Sequence, residues 1–256
     1  MIDTHAHLND ERLYPDIGNI VSSMEKDNLS SIITVGYDRR SSEESYKISK
    51  TYSGIYCAVG IHPHDAKSAS QEDYEYFARI ADDQKTVAIG EIGLDYYYDL
   101  SPRETQIKVF LEQLELAHSI KMPVVIHLRD AYQVMYNLLK DNKNLLEYGA
   151  ALHCYSGSKE MLKEYLKLGL FVSYGGSVTF KNAVDKPDIV RATPADMFFL
   201  ETDCPYLTPV PYRGKTNYPA YVNLVRDKVA EFLGTDPDEI DRITTENARR
   251  FFSKLR

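Results

Sequence analysis

Short apolar runs separated by longer amphipathic stretches recur along the whole chain. The runs are Met1-Ile2, Ser31 to Val35, Ile55 to Val59, Thr86 to Ile89, Pro123 to Ile126, Ala150 to Leu152, Leu170 to Ser173 and Met197 to Leu200. Several are rich in β-branched residues and most end in a glycine or a polar cluster, as parallel strands buried on both faces do. The first is too short for pattern alone to establish. Residues 104–121 place Ile107, Phe110, Leu111, Leu114 and Ala117 on one stripe, which predicts an amphipathic helix. Ser101-Pro102-Arg103-Glu104 reads as its start, with a capping serine, proline at the first helical position and glutamate three residues after the cap. Residues 159–168 and 219–233 show similar periodicity, Thr235-Asp236-Pro237-Asp238 opens a further helix, and residues 245–254 predict a last one.

Eight strand–helix alternations in 256 residues predict an α/β fold, a (β/α)8 TIM barrel with a C-terminal helical extension. No linker, low-complexity segment or internal repeat divides the chain, so a single domain over 1–256 is expected. A doubly wound open sheet is the main competitor. Its nucleotide-binding form carries a glycine-rich phosphate loop after the first strand; here that place holds Thr4-His5-Ala6-His7.

Composition changes the picture only at the margins. A chain that is 43% hydrophobic and 27% charged has ample core for a soluble globular protein, and a barrel of this length buries that core alone, so a monomer is expected. Thirty basic against 38 acidic residues, a net −8, argue against a broad nonspecific nucleic-acid-binding face, but not against a local basic rim at an acidic cleft. Three cysteines without a CxxC pair argue against a disulfide framework; Cys57 and Cys154 read as small buried hydrophobes. The N-terminal stretch lacks the charged and apolar regions of an export signal, and no run approaches the ~18 apolar residues of a membrane span. A cytoplasmic enzyme without membrane association is therefore expected. Twenty tyrosines and no tryptophan form an unusual aromatic balance, to which the sequence alone attaches no role.

The chemistry gathers at the ends of the apolar runs. Glu91 follows Val87-Ala88-Ile89-Gly90, and a strand of that type rarely tolerates an acid unless it is paired or holds a metal. In a barrel, the C-terminal strand ends face the active site. His5 and His7 end the first run, Glu91 the fourth, His127 the fifth, His153 the sixth and Asp203 the eighth. The i, i+2 spacing of His5 and His7 points both imidazoles to one face of a strand. Any one strand-end histidine is most simply a hydrogen-bonded core residue; five such positions converging indicate metal binding. Six ligands are too many for one open tetrahedral site and suit two divalent ions sharing a carboxylate. The natural division gives one ion His5, His7, Asp203 and Glu91, and the other Glu91, His127 and His153. Imidazole with carboxylate fits zinc, manganese or iron, and magnesium less well.

The same residues stand in motifs: Asp3-Thr4-His5-Ala6-His7, Gly60-Ile61-His62-Pro63-His64, Gly90-Glu91-Ile92-Gly93-Leu94-Asp95, Ile126-His127-Leu128-Arg129, His153-Cys154-Tyr155-Ser156-Gly157 and Glu201-Thr202-Asp203-Cys204-Pro205. Arg213-Gly214-Lys215, Asn217, Pro219 and Glu246-Asn247-Ala248-Arg249 continue the series. Over its whole length the chain resembles the TatD-type metal-dependent deoxyribonucleases, departing at Tyr155, where phenylalanine is common. The resemblance implies a TIM-barrel hydrolase of the amidohydrolase superfamily, a two-metal site at His5, His7, Glu91, His127, His153 and Asp203, and 3′→5′ exonuclease action on DNA.

From this site, two cations would polarise a phosphodiester and activate water, with Asp203 as the general base and Glu91 between the ions. His62 and His64, in a loop held by Pro63, are read as contacts to substrate phosphate or as support for the ligands. Arg129, Arg213 and Lys215 are the cations expected on substrate phosphate, arginine suiting a bidentate contact best. Asp95 is either an acceptor for a ligand histidine or a loop cap, and Asn247 and Arg249 are read as structural. The expected substrate is the 3′ end of DNA, with RNA as a further possibility. The alternatives are an ester or amide hydrolase acting on a small molecule, an aminoacyl-tRNA deacylase, or a binding protein that has lost catalysis; the complete ligand set speaks against the last.

Overall fold

A computed structural model of the chain describes residues 1–255. Eight parallel strands form one sheet in chain order: β1 (Ile2–Ala6), β2 (Ser31–Val35), β3 (Ile55–Val59), β4 (Thr86–Asp95), β5 (Val124–Arg129), β6 (Ala150–Leu152), β7 (Phe171–Tyr174) and β8 (Phe198–Leu200). Each is followed by a helix: α1 (Ile17–Ser23), α2 (Arg39–Thr51), α3 (Gln71–Ala81), α4 (Arg103–Ser119), α5 (Tyr132–Asp141), α6 (Lys159–Lys167), α7 (Lys186–Ala192) and α8 (Val222–Leu233). The sheet curls into a nearly closed TIM barrel, and α9 (Pro237–Phe251) is the extension beyond it. Among the described residues, no helix is long and apolar enough to cross a membrane.

Alternation along the strands makes two cores. Residues such as Ile33, Ala58, Val125, Ala151 and Phe199 point into the barrel. Their neighbours Ile32, Cys57, Val124, Leu152 and Phe198 face the helical layer, so both faces of the sheet are largely buried and most strands read as continuous apolar runs. Phe251, Phe252 and Leu255 pack against the inner core, and the rings of Phe171 and Phe199 stack at 5.0 Å beside Phe251. The end of α9 thus fills out the inner core, while Asn247 within it donates to the carbonyls of Ala195 and Phe198.

Closure between β1 and β8 rests on few bonds. Ala6 bridges Cys204, Asp203 N donates to His5 O at 2.8 Å, and His7 N donates to Cys204 O at 2.7 Å. The Thr4 hydroxyl donates to Leu200 O at 3.1 Å, and wholly buried Asp3 adds two more: Oδ1 accepts from Thr202 N at 2.9 Å and Oδ2 from the Thr202 hydroxyl at 2.6 Å. Burial pushes the Asp3 carboxyl up to about 8, against these bonds from Thr202, which favour the ionised form. Asp3→Ala leaves two buried donors of Thr202 without acceptors, so urea unfolding should show a loss of about 2–5 kcal/mol. Asp3→Asn keeps one carbonyl oxygen for Thr202 N and should recover most of that loss; an alanine variant as stable as wild type would remove Asp3 from the closure.

Several expectations change in detail. β1 and β4 extend well past their apolar runs, because Asp3, Thr4 and His5 in β1 and Gly90, Glu91, Gly93 and Asp95 in β4 interrupt the aliphatic pattern. The C-terminal segment is one helix, not two: Ile240, Thr244, Asn247, Ala248 and Phe251 form a single buried stripe in which Thr and Asn interrupt the apolar pattern. Helix α4 begins at Arg103 with no side-chain cap, and Ser101 instead donates to His64 O and accepts from Lys67 N. The segment from 219 opens with a 3-10 turn, Pro219–Tyr221, before α8. Cys57 is buried as expected, whereas Cys154 is partly exposed, because it lies in the loop after β6 beside the site.

Candidate metal centre

Five imidazoles and two carboxylates converge at the C-terminal mouth of the barrel. Glu91 lies midway along β4, where the pairing register with β5 shifts between Ile89 and Ile92 and brings the acid to the centre of the mouth. Gly93, two residues on, has a φ of 151° and lies so close to β5 that a β-carbon would overlap the carbonyl of His127. Only glycine allows that approach. His5 and His7 leave the end of β1 on one side, with ring centroids 5.1 Å apart. Asp203 stands in the left-handed region, at φ 55°, just after β8.

The two oxygens of Glu91 face different imidazoles. Oε1 lies 2.7 Å from His127 Nδ1, 2.7 Å from His153 Nε2 and 3.6 Å from His62 Nε2. Oε2 lies 3.5 Å from His5 Nε2 and 3.9 Å from His7 Nε2. Asp203 Oδ1 faces the same pair, 3.3 Å from His7 Nε2 and 3.8 Å from His5 Nε2. Three donor triplets fall within ligand range of a common point: His5, His7 and Asp203; His5, Glu91 and His153; and His62, Glu91 and His127. These sets cut across the expected two-ion division, since His5 also meets His153 and His62 joins the His127 side. The donor set fits divalent cations on a direct observation: both ring nitrogens of His5 are buried with no hydrogen-bond partner in the protein. A buried imidazole unsatisfied at both nitrogens is costly unless a ligand completes it.

Electrostatics prepares these groups unequally. Burial, with the nearby His153, pushes His5 down, and burial with His127 pushes His62 well down, leaving both neutral as a metal ligand must be. Burial would lower His153 too, but Glu91 and Glu201 raise it well above the ordinary imidazole value. His7 rises against burial through Asp203, and His127 rises through Asp95 and Glu91. Burial would raise Glu91, yet His153 and His62, with bonds to His127 and His153, hold it well below the usual carboxylate range.

A second ring of residues orients the first. Asp95 Oδ2 lies 3.1 Å from His127 Nε2 and 2.9 Å from His64 Nε2, while its Oδ1 accepts from Tyr97 N and Tyr98 N. Both readings of Asp95 therefore apply at once: it fixes a histidine ring and caps a loop. His64 meets the cluster through Asp95 and through His62, whose ring centroid lies 4.3 Å from its own and whose Nδ1 accepts from His64 N at 3.1 Å. Glu201, 1% exposed, sits 3.5 Å from His153 Nδ1 and accepts from the Ser173 hydroxyl at 2.6 Å. Sequence reasoning missed Glu201 as an orienting group, although the signal that flagged Glu91, an acid directly after an apolar run, stands equally at Phe198-Phe199-Leu200-Glu201.

The expected cations lie apart from this cluster. Arg129 is half-buried, with its guanidinium carbon 3.9 Å from the Tyr97 ring centroid and 4.8 Å from that of Tyr98. Exposed Arg213 donates to Thr208 O at 3.2 Å and covers Phe180 at 3.8 Å. Exposed Lys215 approaches the Tyr212 ring at 5.7 Å. None of the three touches Glu91, Asp203 or the five imidazoles.

The chain matches known proteins across this whole architecture. A family model described as TatD related DNase matches residues 2–253. An uncharacterized metal-dependent hydrolase of Bacillus subtilis, YabD, is 40% identical, with 98% of each chain covered. The 3′-5′ ssDNA/RNA exonuclease TatD of Klebsiella pneumoniae is 32% identical over 98% of this chain and 97% of its own. The crystal structure of YJJV, a TatD homolog from Escherichia coli, superposes with a TM-score of 0.92 at 26% identity, covering 99% of this chain and 98% of that one. With the fold, the histidine–carboxylate mouth and this end-to-end similarity together, the chain belongs to the TatD-related family of metal-dependent hydrolases.

Proposed function

We propose that this chain hydrolyses phosphodiester bonds of DNA, and of RNA, from the 3′ end, using two divalent ions bridged by Glu91. The observation that carries the reading is the division of labour in Glu91, whose Oε1 faces His62, His127 and His153 while Oε2 faces His5 and His7. The similarity to the Klebsiella pneumoniae exonuclease supports the choice of bond. His5, His7 and Asp203 would hold one ion and His127, His153 and His62 the other, with Glu91 common to both. Ions in these places supply Lewis acidity to a phosphoryl oxygen and acidify water.

The chain's own residues do the rest. Glu91 stays ionised and fixes the spacing of the two halves. Asp203 is the more open carboxylate, its side chain 14% exposed against 5% for Glu91, so it can take a proton from an entering water. Asp95 and Glu201 keep the rings of His127 and His153 in place. Arg129, on the β5 side of the mouth, is the cation assigned to substrate phosphate; Arg213 and Lys215 stand further out on the β8 loop.

Metal-stripped protein, reloaded with zinc, manganese, iron or magnesium singly, tests the reading on 5′-labelled single-stranded DNA and RNA beside a panel of esters, amides and aminoacyl-tRNA. Stepwise shortening of the labelled strands from the 3′ end is expected. Cleavage of the esters or amides with the strands left intact would overturn it.

A further inference from the structure

Nine large hydrophobic side chains are exposed among the described residues, and all nine lie in strand-to-helix connections at the mouth of the barrel. Six are tyrosines: Tyr14, Tyr37, Tyr97, Tyr98, Tyr206 and Tyr212. A random scatter would place some in the helix-to-strand loops at the other end; none is there. Six of the twenty tyrosines thus line the rim of the mouth.

Tyr37 and Tyr206 each meet His7 at 5.9 Å, and on the β4 side two adjacent rings stand beside the residues that support His127. Tyr97 and Tyr98 are 58% and 55% exposed, and their rings meet edge to face at 4.9 Å. Tyr98 packs against His64 at 5.4 Å. Both backbone N–H groups donate to Asp95, whose other oxygen faces His127. The pair is therefore clamped to the ligand cluster through one carboxylate. Arg129 lies over both rings and has no carboxylate partner among the described residues, so its charge is unspent. Across the mouth, Arg12 lies over Tyr206, but it is bound to Asp10 at 2.8 Å and offers no free charge.

We infer that Tyr97, Tyr98 and Arg129 form a subsite for an unpaired nucleobase beside the reacting phosphodiester, the rings stacking on the base and the guanidinium meeting the adjoining phosphate. This rests on the phosphodiesterase reading and specifies which substrates it takes: strands whose end bases are free to leave a stack. Every base has a face to stack, so the subsite tolerates sequence while rejecting paired ends.

Binding by metal-free protein isolates the subsite from turnover. A short labelled oligothymidylate and its oligouridylate counterpart are titrated by fluorescence anisotropy, beside strands carrying abasic residues at the 3′ end. Tyr97→Ala/Tyr98→Ala should weaken binding of both base-bearing strands about tenfold or more, as loss of base stacking does. The abasic strands should bind wild type and variant alike. Tyr97→Phe/Tyr98→Phe should restore wild-type affinity, and because alanine keeps the N–H bonds to Asp95, a fold defect is not the expected cause of loss. Affinities independent of both the rings and the bases, with DNA and RNA alike, would overturn the subsite. Absence of strand cleavage by the metal-loaded wild type would instead strike the phosphodiesterase reading itself.

Discussion

Glu91→Gln is expected to remove both proposed ions together and to lower turnover on the order of 10³-fold or more. Glutamine is nearly isosteric, so the β4 backbone has no reason to move. It is neutral, however, and presents an N–H donor on one side of the centre where Glu91 presents oxygen to both. Whichever way the amide turns, either the His127 and His153 side or the His5 and His7 side loses its acceptor. Elemental analysis of dialysed protein, with circular dichroism to confirm the fold, reads the outcome. Loss of a single ion would confine Glu91 to one half, and full metal content with near-wild-type turnover would end the bridging role.

Asp203→Asn should separate turnover from metal content. The proposed proton acceptor contributes on the order of 10²–10⁴-fold, whereas asparagine retains a carbonyl oxygen for coordination. Burial would raise Asp203, but its contact with His7 and the surrounding imidazoles hold it below its ordinary value, so it is ionised at neutral pH and ready to accept. Retained metal with a lost chemical step is the expected result in single-turnover assays. A fall in activity no larger than the fall in metal would reduce Asp203 to a ligand; activity near wild type at full occupancy would exclude it from the chemistry.

Much of this was legible in the residues because the fold concentrates its exceptions. An acid or imidazole at the end of an apolar run has few inexpensive explanations, and that rule singles out His5, His7, Glu91, His127, His153 and Asp203, which the fold brings together at one mouth. Glu201 and Asp3 meet the same criterion, each an acid directly after an apolar run. Strand lengths were illegible at β1 and β4 for the same reason that the candidate ligands were visible, since histidines, acids and glycines there replace the apolar residues that mark a strand. His62 could not be placed from sequence, because the turn at Pro63 that carries it back to Glu91 and His127 leaves no periodic trace. Ser101 satisfied a capping pattern yet serves His64 and Lys67, a long-range use that local propensity does not see. The tyrosines gained meaning only once their loops were known to share one face.

In the proposed site one carboxylate, Glu91, joins two ions at the barrel mouth. Anomalous diffraction from crystals of the chain loaded with a divalent transition metal tests it most directly. Two anomalous peaks are expected, one among His5, His7 and Asp203 and one among His62, His127 and His153, each within bonding distance of a different Glu91 oxygen. A single peak, or two peaks of which one lies out of reach of Glu91, would contradict it.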